Sequence, residues 1–149
     1  MLEFAHQEHI KSYYFDSRNQ TFELPPLTQQ EEADVCVIGA GFFGLSAALE
    51  LAEKGKKVIV LEGARVGFGA SGRSGGQAIN GFEEGIDEYI AQMGFDKAKK
   101  LWDMSLEAID IIDERIAKYG IQCDWKKGYA TLALNERRMD DLIEMEKAS

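Results

Sequence analysis

The sequence predicts an α/β fold that opens with a βαβ unit, two parallel strands joined by a helix. The segment "DVCVIG", residues 34–39, is a continuous apolar run of strand length, as expected for a parallel strand buried on both faces. From 43 to 54 apolar residues recur at helical spacing, and Gly55 is a typical helix end. "KVIVLE", residues 57–62, is a second run of the buried-strand type. A strand, a helix of about three turns and a strand form one right-handed βαβ unit.

The remaining segments are interpreted in chain order. Residues 1–32 are predicted to be an irregular lead-in with a short helix near "QEHIKSYY", and "GARVGFGASGRSGG" is predicted to be a loop. Apolar spacing predicts one amphipathic helix from Ile86 to Met93 and a longer one over 96–119. "GYATLAL" alternates as a strand does, and Asn135 is a typical N-cap for a last helix.

Composition and charge exclude several classes of function. The 149 residues are 45% hydrophobic and 29% charged, with a net charge of −9, which argues against a nucleic-acid partner. Cys36 is expected to be a buried small hydrophobe, and neither it nor Cys123 suggests a disulfide or a metal site. No segment has the apolar length of a signal peptide or a membrane span, so a cytoplasmic location is expected. The acidic residues of the long helix, Asp113 among them, are expected to form a solvated face.

Three glycines and one acid carry the first chemical signal. Gly39, Gly41 and Gly44 follow the first strand and open the helix, and Glu62 ends the second strand about 20 residues later. Gly39 suits a tight turn, Gly41 lets a pyrophosphate approach the backbone, and Gly44 lets the helix lie close to the strand. The helix N-terminus offers N–H groups to phosphates, and Glu62 can accept hydrogen bonds from the hydroxyls of a ribose. This pattern predicts a site for an ADP moiety, which both NAD and FAD contain.

The second glycine-rich stretch, "GFGASGRSGGQ", residues 67–77, adds a second set of polar groups. Ser71 and Ser74 offer hydroxyls, Arg73 offers a positive fork, and Gly75 and Gly76 expose backbone N–H groups. Such a set suits a second phosphate, a ribityl chain and the pyrimidine edge of a flavin, where negative charge develops on reduction.

Together with the βαβ segment and the lead-in "SYY", this stretch resembles the D-amino-acid-oxidase-like FAD-dependent oxidoreductases. The resemblance implies a Rossmann-like βαβ FAD-binding domain, of which residues 33–125 form the N-terminal part, followed by helices. "GYATLAL" would then be the first strand of a second, substrate-binding domain that begins within residues 126–149. Some relatives attach FAD covalently through a histidine in the loop, but this chain has none after His9, so non-covalent FAD is expected. The family usually has Asn where this chain has Ser74.

The resemblance and the two glycine stretches give the expected cofactor-binding residues, with no catalytic or metal-binding residue among them. They are Gly39, Gly41, Phe42, Phe43, Gly44, Glu62, Gly63, Arg65, Gly69, Ala70, Ser71, Arg73, Ser74, Gly75, Gly76 and Gln77.

The resemblance implies an enzyme that oxidises a small-molecule amine or amino acid by hydride transfer to FAD, with dioxygen as acceptor. The 149 residues alone are expected to be inactive, because they lack the substrate pocket, and assembly into a homo-oligomer is left open. Two alternatives come from other classes. One is a free-standing nucleotide-binding or interaction module without catalysis, and the other is a subunit of an NAD-dependent reductase.

Overall fold

A computed structural model of the chain describes residues 8–20 and 24–148. The chain divides into two compact units, Met1–Gln77 and Ala78–Ser149. The first unit contains α1 (Tyr13–Asp16), β1 (Val35–Ile38), α2 (Phe42–Glu53), β2 (Val58–Leu61) and a 3₁₀ turn (Ala70–Arg73). The second contains α3 (Ile86–Met93), α4 (Phe95–Tyr119) and α5 (Glu136–Ala148).

The two strands of the first unit form a parallel pair, and α2 is the crossover between them. The register pairs Val35 with Val58 and Ile38 with Leu61. One further bond extends the ladder, from the Gly39 N–H to the Leu61 carbonyl at 2.7 Å. The predicted α/β class is therefore confirmed, with a small parallel sheet. The helix between the two strands is the crossover that parallel pairing requires.

Within the described part of the chain, β1 has one covered and one open face. Val35 and Val37 are half-buried, whereas Cys36 and Ile38 are exposed, with Ile38 at 88%. Alternate residues of a strand point to opposite faces, and α2 packs on the face of Val37. The expectation that Cys36 is buried is therefore wrong for this structure, because the sequence run predicts cover on both faces and α2 covers one.

The second unit is built on a helical hairpin, with α3 packed against α4. Gly94 joins the two helices at a φ of +83°, and Gly120 ends α4 in the left-handed conformation that favours glycine. The buried positions of α4 are the small residues Ala98 and Ser105, while Trp102 is 37% exposed. Trp102 is thus only partly covered by the rest of the described residues.

The segment "GYATLAL" does not form the predicted strand. Residues 128–134 have no regular structure, and the only sheet of the described residues is the β1–β2 pair. An alternating sequence forms a strand only where a partner satisfies its backbone N–H and C=O groups, and no partner strand lies beside these residues in the described chain. The predicted helix after it is present, and the Asn135 side chain accepts a hydrogen bond from the Arg138 N–H at 3.1 Å.

Asp113 on α4 binds the segment that follows the helix. The Trp125 indole donates a hydrogen bond to its Oδ1 at 2.8 Å, and the Lys127 ammonium lies 2.6 Å from its Oδ2. The hydrogen bond from Lys127, and then that from Trp125, hold the pKa of Asp113 below its ordinary value of 3.8. The prediction that the acidic residues of α4 form a solvated face is thus incomplete, because one of them, Asp113, accepts a hydrogen bond from Trp125.

Acid is expected to release Trp125 from Asp113. Because the folded state lowers the pKa of this carboxyl, its stabilising contribution is present at neutral pH and is lost as the pH falls below the ordinary value of 3.8. The indole N–H resonance of Trp125 should shift in that range, with the Trp102 indole as internal control. In Asp113→Asn the resonance should lack this titration, and an unchanged titration in that variant would contradict the assignment.

The closest backbone approach in the first unit lies between α2 and the turn after β1. A Cβ built on Gly44 would lie 2.0 Å from the Gly39 carbonyl oxygen and 3.3 Å from Val37 Cγ1. Gly44 and Ala48, one helical turn apart, are the buried residues of α2. The helix can therefore lie this close to β1 only with glycine at position 44.

Gly44→Ala is expected to destabilise the protein by about 1–3 kcal/mol or more, because the methyl group would overlap a backbone oxygen that cannot rotate away. Gly63→Ala is the matched control, since a Cβ there meets no atom within 4 Å. Denaturant unfolding of both variants measures the difference. Equal stability of the two variants would contradict the packing argument.

Candidate functional site

The candidate site begins where β1 turns into α2. Gly39 has a φ of +99°, a conformation that favours glycine, and Gly41 is the N-cap of α2 without a side-chain capping bond. The first N–H groups of a helix have no partner within the helix, and the helix dipole makes this end positive. A helix N-terminus of this kind can donate N–H groups to an anion, and anion binding at this turn stays a prediction.

Glu62 ties the end of β2 to this turn. Its Oε2 accepts a hydrogen bond from the Ala40 N–H at 2.8 Å, and its Oε1 accepts one from the Ala64 N–H at 3.0 Å. The residue is exposed, and each carboxylate oxygen has a further lone pair. Glu62 therefore has a structural contact that the sequence does not reveal, and it keeps the capacity to accept hydrogen bonds from a ribose.

The second glycine-rich stretch lies against the first. The Gly67 N–H donates to the Ala40 carbonyl at 3.0 Å. Within the stretch, a Cβ on Gly72 would lie 2.0 Å from the Gly67 carbonyl oxygen. The backbone at residue 72 can therefore lie this close to residue 67 only because residue 72 is glycine. Gly67, with a φ of +71°, and Gly72 were not among the predicted site residues. Their role is to let the backbone make this close turn, and their spacing in sequence carries no signal for it.

Ser71 joins the two stretches through its side chain. Its hydroxyl oxygen accepts a hydrogen bond from the Phe42 N–H, the first residue of α2, at 3.0 Å. A Cβ on Gly41 would lie 2.8 Å from the same oxygen. A side chain at position 41 would therefore displace the Ser71 hydroxyl from its present place.

The other predicted residues of the second stretch surround this contact. Arg73 donates to the Phe68 carbonyl at 3.4 Å, and its guanidinium lies 5.8 Å from the centre of the Phe68 ring. Ser74 accepts from the Gly76 N–H at 3.3 Å. Gly69, Ala70, Gly75 and Gln77 lie in the same stretch with exposed backbone or side chains. The stretch is thus a turn held by its own short-range bonds.

The remaining predicted residues lie next to the two stretches in the first unit. Phe42 and Phe43 are exposed on the first turn of α2, Phe43 at 90%, and Gly63 and Arg65 are exposed in the loop after β2. The bonds that join the β1–α2 turn to the chain after β2 involve Glu62, Gly67 and Ser71, and the other predicted residues are near them in sequence.

A cavity of about 860 Å³ lies beside this loop, between it and the lead-in. Its lining includes Tyr14, Phe15, Arg65, Gly67 and Gly72. The lead-in has a short helix, as predicted, at Tyr13–Asp16. His9 packs against this helix and the glycine-rich loop, because the centre of its ring lies 4.8 Å from that of Phe15 and 5.5 Å from that of Phe68. His6, the other histidine of the lead-in, lies outside the described residues.

None of the helices in the described ranges is long and apolar enough to cross a bilayer. In those same ranges, no three His, Cys, Asp or Glu side chains come together in an arrangement that could bind a metal ion.

Comparison with known proteins identifies the family. Residues 34–149 match the family of FAD dependent oxidoreductases known as DAO. The chain belongs to this family. The family resemblance that the glycine-rich stretches suggest is thereby confirmed, and with it the general class of oxidoreductases that use FAD.

Two relatives show how much of a family member the chain represents. The probable oxidoreductase OrdL of Haemophilus influenzae is 88% identical over 149 residues, all of this chain and 35% of that protein. Gamma-glutamylputrescine oxidoreductase of Escherichia coli is 44% identical over 140 residues, 94% of this chain and 33% of that protein. The chain thus spans about a third of the length of these relatives. No solved structure matches it.

The residues present fit the ADP part of FAD. Backbone N–H groups at the start of α2 and a carboxylate at the end of β2 are donor and acceptor groups of the kind that a dinucleotide requires, and glycine at position 44 lets the helix lie close to β1. The carboxylate of Glu62 stays exposed beside this turn.

Ser71→Ala is expected to weaken the contact between the two glycine-rich stretches, which the Gly67–Ala40 backbone bond would still join. The Phe42 N–H would lose its acceptor, at a cost of about 0.5–1.5 kcal/mol, and its amide should exchange faster with solvent deuterium. Ser74→Ala is the matched control, because its hydroxyl bonds the Gly76 N–H and not α2. Equal protection of the Phe42 amide in both variants would show that Ser71 does not hold this contact.

Proposed function

We propose that this chain is the FAD-binding N-terminal portion of an enzyme that oxidises a small-molecule amine or amino acid, with dioxygen as the acceptor. The observation that carries the proposal is the contact between the two glycine-rich stretches through Ser71 and Gly67. The β1–α2 turn alone suffices for an ADP moiety, which NAD also has. A second polar loop held against that turn offers hydroxyls, an arginine and backbone N–H groups to the flavin half of FAD.

Each part of the site would hold a different part of the cofactor. The N–H groups at the start of α2 would bind the pyrophosphate, and Glu62 would bind the ribose of the adenosine. Ser74, Arg73 and Gly75 would face the flavin side. When bound, FAD supplies a hydride acceptor for the carbon that bears the amine. The residues of this chain would bind and orient FAD. Arg73 would place a positive charge in the loop that holds the flavin.

Non-covalent binding of FAD is part of the proposal. The chain has two histidines, both in the lead-in, and the second glycine-rich stretch contains none. Its polar side chains are those of Ser71, Arg73, Ser74 and Gln77, and with the backbone N–H groups they would hold a flavin by hydrogen bonds and charge.

The name of one relative supports the substrate class that we propose. A protein named gamma-glutamylputrescine oxidoreductase is 44% identical over 94% of this chain. We propose a similar amine for the full-length protein, in which these residues are completed to the length of the relatives. In that protein residues 33–125 would belong to the FAD-binding domain, and residues 126–149 would begin the substrate-binding domain, where "GYATLAL" would find a partner strand. The 149 residues alone would be inactive.

The purified full-length protein is expected to be yellow, with the absorption bands of an oxidised flavin. Protein denaturation should release the flavin into the supernatant, because the binding is non-covalent. Anaerobic addition of gamma-glutamylputrescine should bleach the bands, and air should restore them. A colourless protein that binds NAD tightly would overturn the proposal.

Glu62→Gln is expected to weaken FAD binding by about 1–3 kcal/mol, the range for a hydrogen bond to a charged group. It would also place an amide NH₂ against one of the two backbone N–H groups that the carboxylate now accepts. Glu83→Gln, at an exposed residue of the second unit, is the control. Titration of cofactor-free protein with FAD measures the affinity. Equal affinity of both variants would show that Glu62 does not bind the ribose.

A further inference from the structure

The lead-in helix α1 is fixed beside the second glycine-rich stretch. Ser12 caps it, its hydroxyl accepting from the Phe15 N–H at 3.2 Å, and the Asp16 N–H donates to the Ser12 carbonyl at 3.0 Å. The helix contacts the 3₁₀ turn Ala70–Arg73. These contacts give two neighbouring tyrosines, Tyr13 and Tyr14, different surroundings.

Tyr14 faces the glycine-rich stretch, whereas Tyr13 does not. The Tyr14 hydroxyl lies 3.4 Å from the position that a Cβ of Gly75 would take. Tyr14 also lines the cavity of about 860 Å³ together with Arg65 and Gly72. Tyr13 is 78% exposed and is absent from that lining. A residue of the lead-in is thus part of the surface on which the flavin half of the cofactor is proposed to lie.

The Tyr14 hydroxyl has hydrogen-bonding capacity that the protein does not use. Within the described residues it forms no hydrogen bond, although a phenol can both donate and accept one. An aromatic side chain with a polar end that faces a cavity is suited to a ligand with apolar and polar parts. A flavin nucleotide is such a ligand, with a ring system, ring carbonyls and a hydroxylated chain.

We propose that Tyr14 is a cofactor-binding residue, its ring forming a wall of the flavin site and its hydroxyl bonding the flavin half of FAD. This inference rests on the proposed function. The lead-in is then a part of the cofactor site and not a passive extension before β1. ADP, which lacks the flavin half, would bind without Tyr14.

The test compares Tyr14→Phe with Tyr13→Phe in the full-length protein freed of cofactor. The Kd for FAD is measured by the change in flavin fluorescence, and the Kd for ADP by calorimetry. Tyr14→Phe should weaken FAD binding roughly 2- to 12-fold, as expected for the loss of one hydrogen bond, and leave the Kd for ADP unchanged. Tyr13→Phe should change neither. Thermal unfolding of both cofactor-free variants checks that α1 is intact.

The outcomes separate the inference from the proposed function. If the unmodified protein does not bind FAD, the proposed function fails, and this inference fails with it. If it binds FAD and Tyr14→Phe binds as tightly as Tyr13→Phe, the inference alone is overturned. Equal weakening in both variants, or an equal loss for FAD and ADP in Tyr14→Phe, would show an effect through the folding of α1 and would also overturn it.

Discussion

The contact between the Gly39 carbonyl and the start of α2 is the constraint on which the rest of the first unit depends. A methyl group at Gly44 would lie 2.0 Å from that oxygen, so the helix reaches its position only with a bare Cα there. This position buries Gly44 and Ala48 against the sheet and places the first turn of α2 directly after β1. Because the helix N-terminus is fixed, its N–H groups have a fixed direction before any ligand binds.

The end of β2 and the second glycine-rich stretch are attached to four residues at this turn, Gly39 to Phe42. The Gly39 N–H bonds β2, the Ala40 N–H bonds Glu62, and the Ala40 carbonyl bonds Gly67. The Phe42 N–H bonds Ser71. Preorganised donors avoid the entropy of ordering loops at the moment of binding. The free protein therefore already holds the second glycine-rich stretch beside the first.

The sequence predicts local periodicity well and long-range contact poorly. The βαβ unit could be predicted because each of its elements has a local sequence pattern. The patterns are the continuous apolar runs of β1 and β2 and the glycines between them. "GYATLAL" also has the right alternation, yet no partner strand lies beside it in the described residues, so the backbone has no ladder to join. Gly72, Tyr14 and the bond of Ser71 to Phe42 depend on which segments meet in space. A single sequence carries no signal for such meetings outside a known motif.

Ser71 shows how a structural contact and a binding role can share one side chain. A serine hydroxyl accepts up to two hydrogen bonds and donates one. In this structure it accepts the bond from Phe42, and its own O–H stays able to rotate toward an anion at the start of α2. Phosphate binding therefore need not break the link between the two glycine-rich stretches. An aspartate at position 71 could only accept hydrogen bonds, and it would bring a negative charge to the place where a phosphate is proposed to bind. Serine at position 71 therefore combines neutrality with the capacity both to accept and to donate a hydrogen bond.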